Sequence, residues 1–155
     1  MTIPKKASQL KKAQSNANVY LTDLEQKFLG VLSFHENYEV PYVTLKYFQT
    51  SYECFSVWQE SELKAFINFV EKLRRSTWAD IYKTSGKLGV KTGFGYTPHK
   101  NKDNLPKIEE LNRIISPDIT YFELRITDKA RVHGFRVKEA FFLVWLDREH
   151  KINPM

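Results

Sequence analysis

The side chains best suited to work on phosphate groups gather in the last part of the chain. Tyr121, Arg125, Arg131, His133, Arg136, His150 and Lys151 all fall between positions 121 and 151. A guanidinium stays charged and offers paired donors to a phosphate, and an imidazole can accept or release a proton near neutrality. Arg125 is the leading candidate for a phosphate clamp, with a cross-strand ion pair to Glu123 or Glu139 as the plain alternative. Arg131 and Arg136 have the same functional reading, with a solvated strand-end charge as the alternative for Arg131. His150 sits in the polar run Asp147-Arg148-Glu149-His150-Lys151, as a general acid or base or as an exposed histidine. His133 is a further candidate, or a satisfied, partly buried residue. His35 and His99 read as incidental loop histidines. No CxxC or HExxH spacing is present, so no metal site and no cofactor is expected.

A second zone is built from lysine and aromatics. Residues 86–107 hold four of the six glycines, two prolines and five lysines, a density of chain breakers that predicts an exposed loop. Lys87, Lys91, Lys100 and Lys102, with Phe94 and Tyr96 between them, could follow a phosphate backbone and stack a base. Lys151 joins them as an RNA-binding candidate. Gly93-Phe94-Gly95-Tyr96 lacks the spacing of a phosphate-cradling loop.

These residues need a scaffold to position them. Ile119 to Ile126, Arg131 to Val137 and Ala140 to Leu146 predict a three-stranded antiparallel meander, joined by a turn at 127–130 and another at 138–139. On the first of these strands Tyr121, Glu123 and Arg125 share one face, and Phe122, Leu124 and Ile126 the other. If Ile126 lies opposite Arg131, Arg125 shares a face with Arg136, and His133 turns toward the helices beside Leu124. A one-residue shift inverts that assignment.

Upstream, Leu63, Phe66, Ile67, Val70 and Leu73 mark one helical stripe opening at Ser61-Glu62, and Thr77-Trp78-Ala79-Asp80 has capping-box-like spacing, so two antiparallel helices or one kinked helix are expected. Residues 108–115 predict a short helix that stops at Ser116-Pro117. Tyr52 to Trp58 reads as the first strand of the main sheet, and Tyr42 to Phe48 as a weaker edge strand. Residues 5–18 read as a basic tail or frayed helix, and Val19 to Leu32 as an amphipathic helix. Trp58, Phe66, Trp78, Phe142 and Trp145 are expected in the core. The expected class is α+β, with a preface over residues 1–50 and the main domain over 51–155, forming one compact unit.

The chain has 155 residues with a net charge of +6 and 14% aromatic residues. That size suits one domain, the aromatic content argues for a packed core, and the charge favours polyanionic partners. A lone cysteine, Cys54, rules out an intramolecular disulfide and fits a reducing compartment. With no apolar run long enough to span a bilayer, a cytoplasmic protein is expected.

The order of strand, helical hairpin and three consecutive strands resembles the RelE/ParE-like toxin superfamily. So do the successions Tyr121-Phe122-Glu123-Leu124-Arg125, Arg131-Val132-His133-Gly134-Phe135-Arg136 and Phe141-Phe142-Leu143-Val144-Trp145. The resemblance covers residues 52–152. It implies a curved antiparallel sheet against two helices, and an endoribonuclease that cuts messenger RNA on the ribosome without a metal and is neutralised by an antitoxin. Arg125, Arg131, Arg136, His133 and His150 would then activate the ribose 2′-hydroxyl, hold the charged phosphorane and protonate the leaving oxygen. Two other readings keep the fold. One is a non-catalytic phage or mobile-element protein that binds a protein or nucleic acid. The other is a ParE-like gyrase poison.

Overall fold

A computed structural model of the chain describes residues 40–84 and 93–154. The tail, the amphipathic preface helix, Lys87 and Lys91 lie outside them. The described residues form an α+β fold. A five-stranded mixed sheet contains β1 (Tyr42–Thr44), β2 (Thr97–Pro98), β3 (Tyr121–Arg125), β4 (Arg131–Val137) and β5 (Ala140–Asp147). Its order is β1-β5-β4-β3-β2. Three helices accompany it, α1 (Glu60–Arg74), α2 (Trp78–Lys83) and α3 (Glu109–Ile114).

β3, β4 and β5 form the expected antiparallel meander. Every residue of β5 is buried, because it is a central strand covered on both faces and flanked by β1 and β4. β1 runs parallel to β5, pairing Tyr42 with Ala140 and Thr44 with Phe142. The weaker strand candidate therefore supplies the edge, from a position ahead of residue 51.

The stronger candidate, Tyr52 to Trp58, is not a strand. It forms a turn and a single 3-10 turn at Phe55–Val57. Its aromatic residues serve a local cluster instead of a pleat: Phe55 lies 5.0 Å from Phe66 and 5.5 Å from Phe48 between ring centroids. Trp58 Nε1 donates to Glu53 Oε2 at 2.8 Å. Alternating aromatics signal two environments without specifying that a sheet provides them.

Two separate helices are present, with the break at Arg75-Ser76-Thr77. Glu62 reaches back to accept from Gln59 N at 2.7 Å, so α1 begins just ahead of the expected Ser61. Thr77 and Asp80 close the expected capping box, through Thr77 N to Asp80 Oδ2 at 2.8 Å and Asp80 N to Thr77 Oγ1 at 3.2 Å. The inward stripe of α1 is rotated from the expected one. Phe69 and Leu73 are buried, with Phe66 and Val70 packed against the core, while Leu63 and Ile67 are exposed. Phe69 sets this rotation, meeting Phe66 at 6.0 Å and Phe94 at 6.0 Å.

The sheet separates two cores. On the α1–α2 side lie Phe122, Leu124, Val132, Phe141, Leu143 and Leu146 with Phe69, Leu73, Trp78 and Ile81. On the other side lie Tyr121, Phe135, Phe142, Val144 and Trp145 with Tyr47, Leu105, Leu111, Ile115 and Ile152. The short helix expected at 108–115 is α3, and it covers this second face. The alternation expected along β3 is therefore observed.

The expected register between β3 and β4 is off by one. Arg125 lies opposite Arg131, and Glu123 opposite His133. Ile126 N and Thr127 N both bond Ala130 O, so the reversing loop is one residue shorter than expected. That shift turns His133 away from α1 and α2 and leaves Arg136 facing them. A β-bulge at His133/Gly134 inserts Val144 into β5, and Val144 O accepts from Gln49 N at 2.9 Å. Gly134 is required at this crossing, since a Cβ there would overlap the carbonyl oxygen of Phe142.

Candidate functional site

The corrected register gathers a buried polar cluster on the sheet face opposite α1 and α2. Glu123 on β3 and Arg131 and His133 on β4 all point that way. Asp147 ends β5 beside them, and His150 follows in a turn with φ of 53°, a conformation that costs a non-glycine residue energy and holds the ring in place. His99 completes the group. Just past β2, its backbone N donates to Tyr121 O at 2.8 Å, extending the edge pairing and carrying the imidazole over the sheet. His133 is fully buried, and His99, Glu123, Arg131 and Asp147 are all below a tenth exposed.

A chain of contacts runs from His99, just past β2, to β4 and β5. His99 Nε2 lies 2.9 Å from His133 Nδ1, and His133 Nε2 lies 3.1 Å from Asp147 Oδ2. Asp147 is anchored in turn by Lys151 N to Oδ1 at 2.8 Å and Ile152 N to Oδ2 at 2.9 Å. Burial works against the Asp147 carboxylate, yet the hydrogen bonds from His133, Lys151 and Ile152 outweigh it and hold its pKa below the usual range. Burial lowers the pKa of His133 in spite of the nearby Asp147. The network then assigns the protons: His133 Nε2–H donates to the carboxylate, and His133 Nδ1 accepts from His99 Nε2–H.

Glu123 sits beside this chain. Its Oε2 lies 3.3 Å from His150 Nε2 and 4.0 Å from His133 Nδ1. Neither Glu123 Oε2 nor His150 Nε2 completes a hydrogen bond among the described residues. Burial pushes the Glu123 carboxyl up to about 7, partly offset by Arg131. Burial also lowers His99 to about 4, with His133 adding to the effect. His150 is lowered by burial and then by Arg131.

Arg131 is buried, so it is not the solvated strand-end charge, and its Nη1 donates to the carbonyls of Thr127 at 3.0 Å, Ala130 at 3.1 Å and Asp128 at 3.3 Å. It ties down the β3–β4 turn beside the cluster. Arg136 lies on the opposite face. Its guanidinium stacks 4.6 Å above Trp78, and Nη1 donates to Tyr82 Oη at 2.8 Å. The positive charge of Arg125 helps to hold down the Glu123 pKa, and its backbone N donates to Phe94 O at 2.6 Å. It lines a recess of about 300 Å³ with Lys72, Asn68 and Phe94.

Residues 93–107 are more ordered than a structureless loop. They contribute β2 and a 3-10 turn at Lys102–Asn104. Phe94 is buried in the helix-side core and is no base-stacking platform. Tyr96 packs its ring 4.9 Å from Phe122, and its outer edge joins His99, Lys100, Asn101, Asn104 and Asn153 around a recess of about 580 Å³. Lys102 is exposed, bonds Pro117 O, and stands over the Tyr121 ring at 5.9 Å. Lys151 is exposed beside Asp147.

Sequence reasoning missed His99, Glu123 and Asp147 as site residues. Asp147 carries the best local signal, an acid closing an otherwise apolar strand. His99 carries none, because its position depends on pairing across the fold. No helix among the described residues is long and apolar enough to cross a membrane. Comparison with protein-family models, curated proteins and solved structures yields no match to the chain.

Proposed function

We propose that the protein is a RelE-like endoribonuclease toxin that cuts messenger RNA on the ribosome and is held in check by an antitoxin. The observation that carries this reading is the His99–His133–Asp147 chain leading inward from the wall of the 580 Å³ recess. A recess of that size suits a nucleotide. His99 would take the proton of the ribose 2′-hydroxyl, with His133 and Asp147 fixing its ring, and Lys100 would stand beside the phosphate. The Arg125–Lys72 recess adds a second cationic contact for the RNA backbone. The reaction in this reading needs only side chains.

One observation favours the non-catalytic alternative. The Arg131 guanidinium is already engaged by three backbone carbonyls, which leaves it poorly placed to follow charge on a phosphorane. Induction in bacterial cells separates the two readings. Growth arrest with loss of translated messages, abolished by His99→Ala in a folded protein, supports the nuclease. Uninterrupted growth with soluble protein, or arrest that His99→Ala leaves intact, overturns it.

A further inference from the structure

We infer that His99, His133 and Glu123 form a binding site for one divalent transition-metal cation of the zinc type. His99 Nε2, His133 Nδ1 and a Glu123 carboxylate oxygen all lie within 4.8 Å of one another. Glu123 and His133 stand opposite each other on β3 and β4, and His99, just past β2, is tied to β3 by its backbone bond to Tyr121 O, so the sheet sets the spacing. Two imidazoles and one carboxylate form a donor set that suits zinc-type cations over magnesium or calcium, which prefer oxygen. Three protein ligands leave a position open for water or another group.

Two independent features support ligation. First, His133 has the outer partner expected of a metal-bound histidine: Nε2 bonds Asp147 Oδ2 at 3.1 Å, which aims Nδ1 into the cluster. Asp147 is itself fixed by two backbone N–H groups. Second, Glu123 is only 4% exposed, yet its Oε2 has no hydrogen-bond partner among the described residues. A buried carboxylate oxygen without a donor is costly, and a cation removes that cost.

Entry of the cation replaces the 2.9 Å contact between the two rings. Neutral His99 shifts its proton from Nε2 to Nδ1, and the Nε2 lone pair joins that of His133 Nδ1 on the metal. No net proton is released from the imidazoles. The sequence contains no metal motif because the ligands stand 24 and 10 residues apart, from His99 to Glu123 and from Glu123 to His133.

The site shares His99 and His133 with the proposed catalytic chain but does not rest on the ribonuclease reading, and its test does not use RNA. The full chain, stripped with a chelator, is titrated with Zn²⁺ by calorimetry and with Co²⁺ by visible absorption. One equivalent should bind, with a Co²⁺ spectrum showing nitrogen and oxygen ligation. His99→Ala should weaken binding at least about 100-fold, and Asp147→Asn about 10- to 100-fold through loss of the outer partner. Cys54→Ser should leave both titrations unchanged. His99 lies at the recess wall, so its variant is checked for an unaltered circular dichroism spectrum; if it unfolds, Glu123→Gln takes its place. The inference is overturned if the wild-type chain shows no saturable uptake, if the folded variants bind within twofold of wild type, or if Cys54→Ser abolishes uptake. Failure of the metal-free chain to cleave RNA would overturn only the ribonuclease reading.

Discussion

His133 Nε2 reaches Asp147 Oδ2 at 3.1 Å although the strand register places His133 opposite Trp145 and Asp147 opposite Arg131. The bond is therefore diagonal across β4 and β5, and it joins the most deeply buried imidazole to a carboxylate that also caps the chain leaving the sheet. Stability and site geometry meet at this one carboxylate.

Asp147→Asn should destabilise the protein by about 1–3 kcal/mol, since it removes a charged acceptor from a buried network. Asp147→Ala should cost more, because His133 Nε2, Lys151 N and Ile152 N would all lose their acceptor. Urea denaturation of the two variants checks this order. Equal midpoints for both and the wild type would show that the network contributes nothing.

Gly134→Ala should be severe. The added methyl meets first the carbonyl of Phe142, backbone that cannot swing aside, and then the buried Phe141 ring, at the bulge between β4 and β5. A loss of about 3 kcal/mol is expected from overpacking, read as a lower thermal midpoint. An unchanged midpoint would mean that the two strands can separate there without cost.

Thr77→Ala should cost about 1 kcal/mol by removing the side-chain acceptor for Asp80 N. Asp80 titrates with the same cap. Hydrogen bonds from the Thr77 backbone and hydroxyl hold its carboxyl below the ordinary value of 3.8. A lowered folded pKa means that its stabilising contribution is complete above the unfolded value and is lost as pH falls through the lower folded one. Asp80→Asn should therefore narrow its stability gap to wild type as pH drops below 3.8, measured by thermal melts across that range.

Arg125→Ala should weaken binding to single-stranded RNA and reduce the salt dependence of binding by about one phosphate contact. Lys72→Ala, on the same recess, should act similarly, and Arg136→Ala, held against Trp78 on α2, should not change the salt slope. Filter binding at several salt concentrations measures all three. An unaltered slope in Arg125→Ala would remove that recess from any RNA path.

Sequence alone determined the α+β class, the Thr77–Asp80 cap, and the split along β3 between Phe122–Leu124 and Tyr121–Glu123. These depend on local periodicity and on residues three or four apart, so the chain displays them directly. Tertiary structure decided what His133 faces. A strand has a period of two, so one residue in the Thr127–Ala130 turn exchanges the two faces of β4, and only the bonds from Ile126 and Thr127 to Ala130 O settle that count. It also decided that Tyr52–Trp58 packs as a turn and that His99 belongs to the site. Each depends on partners far along the chain, Phe66 for the first and Tyr121 and His133 for the second, and no local pattern encodes a partner that is distant in sequence.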